Sequence, residues 1–588
     1  MQSPARQQLL LIIAATLIFF VNLGGAHLWD DDEPKNAQCA REMLDRGDWV
    51  VPTFNGELRP DKPVLVYWLM MSAYQAFGDN EFAARFWSAV AAIGTTLATY
   101  HLGRTLFNAR VAFWAGWIVA SSLMFVVAGR AATPDSLMIL CTTAAMLAFV
   151  RATWGASTTL AGANRLSDFV PRSWLGMAAT YACIALGVLA KGPVALVLPT
   201  LVLLVYLVAV RRRLTGSHAG GNETSSCLND LRMLRFFSPA AWCVAGWKLR
   251  PLTALLMLTL IALPWYLAVG FKTDGDWLAG FFGHHNVGRF LSPMEGHHGP
   301  FFYYVLAIAF GFFPWTIFLP QALMRAGRKL RGDPAWAAYL FVICWAGVWT
   351  VFFSFSGTKL PSYVTPAYPA LALIAATWID AWLAEPHKVN RWVLRQSLAS
   401  LIVVGIAAIV LLPILALYVL PGEAVLGVVG LVLAVGGSAA LAWAVRRPDR
   451  AAMCLAATSL AFMLSLFGFA AVRASHHQNG AALIRSLRAN SLNPQFAAFD
   501  FAVPGLVYYA QSRVPQYKHA DDAVRYLQSS PRALVITYTR GYEELRPLLP
   551  PDVTVVASQR RFLRRSEVIV LGHAGAAAHR TAARAVRP

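Results

Sequence analysis

Long apolar runs alternate with short polar connections along most of the chain. A window of about 20 residues, the length of helix that crosses a bilayer, predicts about thirteen spanning helices. These lie near residues 8–26, 82–103, 111–128, 134–152, 174–190, 192–210, 252–271, 301–321, 335–355, 361–383, 397–419, 424–446 and 452–472. We expect the first run to be a retained helix rather than a cleaved signal peptide. The run from Val64 to Phe77 is shorter and flanked by charge, which predicts an interfacial helix lying along the membrane.

The Lys and Arg residues predict how these helices are oriented. With the N-terminus in the cytoplasm, the inner loops carry most of the basic side chains, as the positive-inside rule requires. The main outer ones beyond the first loop are Arg130, Lys191, Lys272, Arg289 and Lys359. This alternation places the loops at 27–81 and 272–300, together with the C-terminal region, on the outer side.

Composition agrees with a polytopic membrane protein. The 588 residues are 57% hydrophobic and 14% charged, with a net charge of +20. A soluble protein of this size could not bury so much apolar surface. The basic residues lie in short loops, where they set topology, so the charge does not indicate a nucleic-acid partner. The seven cysteines form no CxxC pair, which argues against a zinc knuckle or a disulfide framework.

After Val472 the composition changes, and residues 477–574 are expected to form a small α/β domain. Short strands are predicted at Phe496–Phe501, Ala533–Tyr538, Val553–Ala557 and Val568–Leu571, with helices at Ala520–Ser529 and Tyr542–Leu549. Residues 575–588 are rich in Ala and Arg and should be a frayed tail. The membrane domain then covers residues 1–473.

Two polar motifs stand out in the first outer loop. Asp32 and Glu33 are carboxylates at a water-exposed membrane face, where they could act as a general base or stabilise a cationic transition state. The alternative is a solvated acidic loop. Lys62, between Asp61 and Pro63, begins the interfacial helix at the depth of a lipid phosphate, and a lysine suits phosphate binding. The alternative for Lys62 is a snorkelling interfacial side chain.

Further charged residues occur in the later outer turns. Arg130 and Asp135 flank the start of a spanning helix, where the acid could also simply match the helix dipole. Lys191 lies in a tight turn between two apolar runs, and Lys359 follows a segment rich in small and hydroxyl residues. A plain hairpin and an interfacial anchor are the respective alternatives. We expect Lys62, Arg130, Lys191 and Lys359 to surround one outer cavity, as an anionic lipid headgroup requires.

The histidines of the second outer loop raise the question of a metal. Asp61, His285 and His297 are weak candidates for ligands, since carboxylate and imidazole can bind zinc. Their spacing matches no compact metal signature.

Several stretches together resemble the aminoarabinose (4-amino-4-deoxy-L-arabinose) lipid A transferase family. In the first outer loop these are Asp32-Glu33-Pro34-Lys35-Asn36-Ala37, Ala40-Arg41-Glu42-Met43-Leu44, Gly47-Asp48-Trp49-Val50-Val51-Pro52, Asn55-Gly56 and Asp61-Lys62-Pro63. The similarity continues through Phe82-Ala83-Ala84-Arg85, Asp135-Ser136, Ala190-Lys191-Gly192-Pro193, Arg289-Phe290, Pro300-Phe301-Phe302-Tyr303-Tyr304, Pro314-Trp315, Phe353-Ser354 and Lys359-Leu360-Pro361-Ser362-Tyr363. That family is one of the GT-C membrane glycosyltransferases, near the protein O-mannosyltransferases.

The resemblance implies a polyprenyl-phosphate sugar donor and an inverting transfer on the periplasmic side. By position, Asp32 is the acid of the first-loop motif, Lys62 the donor-phosphate lysine and Asp135 the second acid. Glu33 is expected beside them at the catalytic face. The chain departs from the family at Asp61, where the family has Glu, and at Arg59-Pro60, where the family has an aromatic pair.

We therefore expect an all-α GT-C membrane protein of the bacterial inner membrane, with the active site and the α/β domain on the periplasmic side. Its acceptor would be lipid A or another cell-envelope glycolipid. A protein O-glycosyltransferase and a lipid-linked-sugar flippase or transporter remain the alternatives. The expected partners are the donor, the acceptor and membrane lipids, without nucleic acid. No cofactor is expected to be required, with a divalent metal as the alternative.

Overall fold

The structure is a computed structural model that describes residues 3–29, 32–155, 163–217, 238–291, 298–478, 483–484, 487–488, 494–501, 504–560 and 566–573. The helices of the membrane part are α1 (Pro4–Phe20), α2 (Asp32–Arg46), α3 (Leu65–Phe77), α4 (Glu81–Leu106), α5 (Ala109–Ala120), α6 (Leu123–Arg130), α7 (Asp135–Trp154), α8 (Trp174–Lys191), α9 (Val194–Ser217), α10 (Pro239–Lys248), α11 (Pro251–Ile261), α12 (Leu263–Lys272), α13 (Asp276–Ala279), α14 (Arg289–Leu291), α15 (Tyr303–Gly311), α16 (Leu319–Lys329), α17 (Trp336–Ser354), α18 (Tyr368–Ala384), α19 (Arg391–Val419), α20 (Val428–Trp443), α21 (Pro448–Met463) and α22 (Ala471–His476). Segments of 3-10 or π-helix lie at Leu166–Phe169, Gly280–Gly288, Trp315–Phe318, Pro361–Ala367, Pro386–Lys388, Ala424–Gly427 and Leu464–Ala470.

The apolar helices confirm a largely helical, multi-pass membrane architecture. Within the described ranges, 8 helices are long and apolar enough to cross a membrane, or up to 11 if each of 3 bent pairs is one span. The bent pairs are α5 with α6, at 63°, α10 with α11, at 55°, and α15 with the segment Trp315–Lys329, at 114°. The sequence windows read two of these bends as parts of straight spans, because hydropathy measures composition and not the local break. Pro314 lies in the sharpest bend, where a proline ends the preceding helix.

Helix α4 is held in the membrane part by close packing against its neighbours. Helix α4 packs against α1, α5 and α7. Gly103 permits this approach, since a Cβ there would lie 2.6 Å from the Cα of Ala112. The first outer loop leaves α1 and returns at the start of α4, the end opposite to Gly103.

The first outer loop folds as a small layer with its own core. It contains α2, the two-stranded hairpin of β1 (Thr53–Phe54) and β2 (Glu57–Leu58), and α3. Both central residues of the hairpin, Asn55 and Gly56, have positive φ, which is typical of a type I′ turn. A helix, α3, is present at the segment predicted to be interfacial, and its buried face packs against α2 and α4, while its position along the membrane stays a prediction.

The C-terminal region forms a five-stranded mixed sheet with flanking helices. Its strands are β3 (Gln495–Phe499), β4 (Gln516–Tyr517), β5 (Ala533–Tyr538), β6 (Val553–Arg560) and β7 (Glu567–His573), in the spatial order β4-β3-β5-β7-β6. Strand β3 is parallel to β4 and β5, and β7 is antiparallel to β5 and β6. The helices are α23 (Pro504–Ala510), α24 (Ala520–Ser529) and α25 (Thr539–Leu545), with a 3-10 turn at Arg546–Leu548.

This region agrees with the predicted α/β character. Strand β5 and helix α24 have the predicted bounds, whereas α23 and β4 were not predicted. The domain division near residues 473–477 stays a prediction, and the tail at 575–588 lies outside the described residues.

The C-terminal sheet rests on the first outer loop through α23 and the turn after it. The Arg41 guanidinium donates to the Tyr508 carbonyl at 2.7 Å and lies over the Tyr508 ring. The Asn55 side chain exchanges hydrogen bonds with the Val514 backbone, at 2.9 and 2.8 Å. The hydroxyl of Tyr509 accepts from the Leu28 backbone N–H at 2.9 Å. The loop that carries Asp32 is therefore packed between the membrane helices and the sheet.

Candidate functional site

A cavity of about 540 Å³ opens where the outer connections converge. Its lining combines acids, cations and one apolar wall. The charged members are Asp32, Asp61, Asp135, Lys62, Lys191, His285 and Arg289. The other lining residues are Asn36, Thr133, Pro134, Met138, Pro193, Val194, Val197, Phe281, Phe282, Asn286, Val287, Phe290, Leu291, Phe352, Phe353, Ser356, Leu360, Ser362 and Tyr363.

The two adjacent acids of the first loop have different surroundings. Asp32 begins α2, is exposed and lines the cavity. Glu33 is only 4% exposed and lies outside the cavity lining, in a double contact with Arg85 at 2.7 and 2.8 Å. It also accepts from the backbone N–H groups of Trp29 and Ala132, each at 2.6 Å. The structure thus brings Asp32, but not Glu33, to the expected catalytic face.

Arg85 turns this ion pair into an anchor for the end of α1. Besides Glu33, its guanidinium donates to the carbonyls of Leu23, Ala26 and His27 at 2.7–3.0 Å. A buried charge needs such complete pairing, because an unpaired one is costly. The anchor fixes the chain immediately before and after Asp32.

Asp135 and Lys191 meet in the cavity wall, although the sequence separates them widely. Asp135 is the first residue of α7 and Lys191 the last of α8, and their side chains form an ion pair. The Lys191 ammonium also lies 5.7 Å from the centre of the Tyr363 ring. Since α7 and α8 pack along each other, their outer ends place an acid and a cation side by side.

Lys62 is the cation best placed to receive an anion. Within the described part of the chain, no hydrogen bond or ion pair engages its ammonium. Burial lowers the pKa of Lys62, and the nearby Lys191 and Arg289 lower it further, while Asp32 and Asp135 oppose them. A lysine among like charges gains favourable energy when an anion arrives.

Asp61 joins the first outer loop to the second. Its Oδ1 lies 3.0 Å from Nε2 of His285, and its Oδ2 lies 3.4 Å from Nε of Arg59. Although burial alone would raise it, the His285 hydrogen bond and the Arg59 charge hold the pKa of Asp61 well below its usual range. Two of the three candidate metal ligands are thus together, while His297 lies outside the described residues. Among those that the structure describes, no group of three His, Cys, Asp or Glu residues could hold a metal.

Arg130 and Lys359 lie outside the cavity lining, unlike the expectation that they surround it. The Arg130 guanidinium donates to the Ile18 and Val21 carbonyls at 2.7 and 2.9 Å, near the end of α1. The Lys359 ammonium is 6% exposed and donates to the Ser354 and Ser356 carbonyls at 2.9 and 3.0 Å. The last carbonyls of a helix lack intrahelical partners, so a cation in the next turn can cap them. Sequence position alone does not separate this role from a role in the cavity.

Three lining or supporting residues were not predicted as site residues. Arg289 follows the π-helical segment of the second outer loop and lines the cavity. It was noted as one of the few outer cations and within the Arg289-Phe290 stretch of the family resemblance, and these were the available signals. Asn36, one helical turn after Asp32, also lines the cavity, and Arg59 supports it from behind. An arginine in place of an aromatic residue was the signal for Arg59.

The N-terminal half of the chain matches a known family model. Residues 5–279 match the family described as dolichyl-phosphate-mannose-protein mannosyltransferase.

Curated relatives have a more specific description. The undecaprenyl phosphate-alpha-4-amino-4-deoxy-L-arabinose arabinosyl transferase of Pectobacterium carotovorum is 28% identical over 81% of this chain and 78% of its own length. The protein of the same name from Edwardsiella ictaluri is 30% identical over 68% of this chain and 64% of its own length. The one from Photorhabdus laumondii is 28% identical over 62% and 58%. The match therefore spans less than two thirds of the last two relatives.

The fold agrees with these similarities. The crystal structure of ArnT from Cupriavidus metallidurans bound to undecaprenyl phosphate has a TM-score of 0.75 to this chain, at 22% identity. The similarity covers 97% of this chain and 98% of that one. In sequence and in fold, the chain resembles the aminoarabinose transferases, and residues 5–279 also resemble the protein mannosyltransferases.

Proposed function

We propose that this protein transfers a sugar from a polyprenyl phosphate donor to lipid A or another cell-envelope glycolipid, with inversion at the anomeric carbon. The observation that carries the proposal is the cavity, whose lining brings Asp32 and Asp135 together with Lys62, Arg289 and a set of apolar side chains. The names of the curated relatives support the choice of undecaprenyl phosphate and aminoarabinose as donor components.

The cations act on the leaving group. When the bond between the anomeric carbon and the phosphate oxygen breaks, the electron pair stays on the phosphate. Lys62 and Arg289 neutralise this added charge, and preorganised charges of this kind supply much of an enzyme's rate enhancement. Lys191 is held by Asp135 at the wall, so it adds a third positive group in a fixed position.

Asp32 acts on the acceptor side. The acceptor oxygen attacks the anomeric carbon from the face opposite the phosphate. If the acceptor is a hydroxyl, Asp32 takes its proton as general base. A phosphate acceptor is already ionised, and Asp32 then stabilises the positive charge that develops on the sugar.

The apolar wall suits the polyprenyl tail. Val194 and Val197 on α9, with Leu291 and Phe352, line the cavity and offer apolar surface that a hydrocarbon chain can cover. The phosphate would sit where this wall meets Lys62.

We further propose the complete topology, with about thirteen crossings by the hydropathy windows and the cavity on the periplasmic side. Every connection that contributes charge to the cavity belongs to the set expected on the outer face: the first loop, the turns before Asp135 and after Lys191, and the second loop. The C-terminal sheet rests on the same face, through the Tyr509–Leu28 contact.

We also propose that transfer requires no resident cofactor. Both oxygens of Asp61 already have partners, His285 and Arg59, so this acid does not depend on a metal for its neutralisation. Transfer by the purified protein should therefore persist after dialysis against a chelator, and its loss with recovery on adding zinc would contradict this.

A protein acceptor is the second candidate. The match of residues 5–279 to the protein mannosyltransferase family favours it. A flippase without transferase activity is the non-enzymatic alternative.

The proposal is tested by removing the two groups with the clearest roles. Asp32→Asn and Lys62→Ala, in membranes given labelled donor, should each lower transfer by at least about 100-fold, the scale of losing a positioned acid–base or charge-stabilising group. Asp45→Asn, an exposed acid on the same helix, is the control and should keep normal transfer. Normal transfer by both active-site variants would refute the mechanism.

Mass spectrometry of a deletion strain then identifies the acceptor. A sugar lost from lipid A supports the leading proposal, and a sugar lost from a protein supports the second candidate. A sugar lost while the donor stays on the inner membrane face, together with no transfer by the purified protein, would favour the flippase.

A further inference from the structure

Arg59 is a buried guanidinium behind the cavity. It is 4% exposed and immediately precedes the Pro60-Asp61-Lys62 turn. Its Nη2 donates to the Asn36 side-chain oxygen at 3.1 Å, and its Nε faces Asp61 at 3.4 Å. Within the described residues neither its Nη1 nor its Nε has a hydrogen-bond partner, so its contact with Asp61 is an ion pair alone. Leaving a buried donor unused costs stability, so packing alone does not explain the choice of arginine here.

Asn36 connects Arg59 to the turn before Asp135. Its side-chain N–H donates to the Ala132 carbonyl at 3.0 Å, while its oxygen accepts from Arg59. The N–H of Ala132 is held by Glu33, at 2.6 Å. Helix α2 thus holds both polar groups of Ala132, three residues before Asp135. This contact fixes the separation between Asp32 and Asp135.

Asp61 connects Arg59 to the second outer loop. His285, in the π-helical segment that leads to Arg289, contacts Asp61 at 3.0 Å. The same loop approaches the backbone of Arg59, because Trp277 Nε1 donates to the Arg59 carbonyl at 3.0 Å. Gly280 faces Pro60 so closely that a Cβ would lie 2.7 Å from the Pro60 Cγ. The position of Arg289 therefore depends on the Arg59 turn.

We infer that Asn36 and Arg59 are positioning residues that hold the cavity acids in register with the phosphate-binding cations. The polar chain runs through the Ala132 carbonyl, Asn36, Arg59, Asp61 and His285. It joins each chain segment that carries an acid to each segment that carries Lys62 or Arg289. Arg59 lies outside the cavity lining and acts only through these partners. The inference rests on the proposed function, since it assigns the roles of the groups that are positioned.

The chain of contacts explains why a misplaced turn would lower the rate of transfer more than it would weaken the binding of the donor. Lys62 and Arg289 can still attract a phosphate if the turn shifts slightly. In-line attack needs the acid and the leaving phosphate aligned on opposite sides of one carbon, and a displacement of about 1 Å can cost up to about 100-fold. Breaking the chain should therefore lower kcat and leave the KM for the donor nearly constant.

The experiment breaks the chain at two separate contacts. Arg59→Gln removes the guanidinium, and Asn36→Asp keeps an acceptor for Arg59 but removes the N–H that binds Ala132. With purified protein in vesicles, undecaprenyl phosphate–aminoarabinose as donor and lipid A as acceptor, each variant should lower kcat by about 10- to 100-fold and change the donor KM by less than about threefold. Because both substitutions break the same chain of contacts, their effects should not add. The kcat of the double variant should be at most about twofold lower than that of the slower single variant.

Two controls separate positioning from loss of folding. Lys35→Gln removes a charge beside Asn36 on α2 and should leave kcat unchanged. Arg59→Lys keeps the positive charge with fewer N–H donors, and its kcat should lie above that of Arg59→Gln. Thermal unfolding of each variant is measured in parallel. Three outcomes would overturn the inference. They are additive losses of kcat in the double variant, a rise in donor KM without a fall in kcat, and a kcat loss no larger than that of Lys35→Gln.

Failure of the inference is distinguishable from failure of the proposed function. If Asp32→Asn and Lys62→Ala abolish transfer while Arg59→Gln and Asn36→Asp do not, only the positioning roles are wrong. If Asp32→Asn and Lys62→Ala transfer normally, the proposed function itself fails.

Discussion

Asp32 and Glu33 are neighbouring carboxylates on one helix turn, but they have different surroundings. Side chains one position apart on an α-helix point about 100° apart, so one can face a cavity while the next faces the protein interior. Asp32 is exposed in the cavity, whereas Glu33 is buried against Arg85. We therefore propose that Glu33 supports the position of Asp32 and does not touch the substrate.

Removing the Glu33 charge should destabilise the protein. In Glu33→Gln the Arg85 guanidinium keeps its charge without its buried counter-ion, and breaking one side of a buried pair costs about 3–5 kcal/mol. Thermal unfolding in detergent should show a clear fall in the melting temperature. Glu57→Gln, on the exposed strand of the same loop, is the control. An unchanged melting temperature in Glu33→Gln would exclude a structural role.

His573 makes the end of strand β7 sensitive to pH. Its Nε2 lies 2.7 Å from the Leu527 carbonyl and its Nδ1 lies 2.7 Å from Asp552. The Leu527 carbonyl, and then the Asp552 carboxylate, raise the pKa of His573, and His573 lowers the pKa of Asp552. The histidine's stabilisation is therefore complete below its unfolded pKa and is lost as pH rises through its folded pKa. That of Asp552 is lost as pH falls through its own lowered value.

Substituting His573 should thus matter most in mildly acidic solution. Peptides covering strand β7 should exchange deuterium faster in His573→Gln than in the wild type at about pH 6, and the difference should shrink at about pH 9. Rates are corrected for intrinsic exchange at each pH. His519→Gln, an exposed histidine of the same region, should show no such dependence. A difference that grows with pH would contradict the assignment.

For single residues, the sequence predicted which charged side chains matter better than it predicted which groups they contact. Asp32, Lys62, Asp135 and Lys191 were expected in one cavity, and all of them line it. Glu33, Arg130 and Lys359 were expected there too, but a charge in an outer turn can equally pair internally or cap a helix. Which of these occurs depends on side-chain direction, and the sequence does not contain it.

The turn between α8 and α9 shows how an element's end shapes the cavity wall. Gly192 has a φ of +87°, and a Cβ there would lie 2.4 Å from the Phe281 ring. Phe281 belongs to the second outer loop and stacks on Trp277 at 4.7 Å between ring centres. The turn that carries Lys191 is thus also a surface against which that loop packs.

Gly192→Ala should lower both stability and transfer. The left-handed backbone costs about 1–3 kcal/mol for a residue with a side chain, and the contact with Phe281 adds to it. Gly332→Ala is the matched control, because Gly332 has a φ of +82° and nothing within 4 Å of the added Cβ. Unfolding and transfer assays should show a larger loss for Gly192→Ala. Equal losses would mean that the Phe281 contact is unimportant.

Element types were largely predictable, while element shape was not. Periodicity and turn signals located β5, α24 and helix α3. The bends of 63° and 114° in the membrane part were missed, because a hydropathy window sums composition over residues that need not share one axis. The short strand β4 and helix α23 were missed because two to seven residues carry little periodic signal.

At the scale of the whole molecule, the C-terminal sheet is part of the site's support. Tyr509 accepts from the Leu28 N–H and donates to Glu81 at 3.1 Å, so it ties the chain before Asp32 to the start of α4. Nothing in the sequence linked these residues. Their contact required knowledge of how the sheet docks.

Tyr509→Phe should loosen the first loop while keeping the aromatic contact with His27. Losing one buried hydrogen-bond partner costs about 1–3 kcal/mol. Deuterium uptake in peptides covering residues 27–29 should rise and transfer should fall by several fold. Tyr526→Phe, within the same region but away from the loop, is the control. Unchanged uptake in Tyr509→Phe would show that the sheet does not order the loop.

The contact between Arg41 and Tyr508 has a consequence for the order of synthesis. These partners are separated by 467 positions in the chain, so the first loop leaves the ribosome long before the residue that completes its packing. At synthesis rates of about 5–20 residues per second, the loop waits roughly 20–90 s for Tyr508. During that interval the membrane helices can insert while the loop has only its own small core. The nascent protein should therefore stay catalytically silent until the segment around Tyr508 has been synthesised and has packed on the loop.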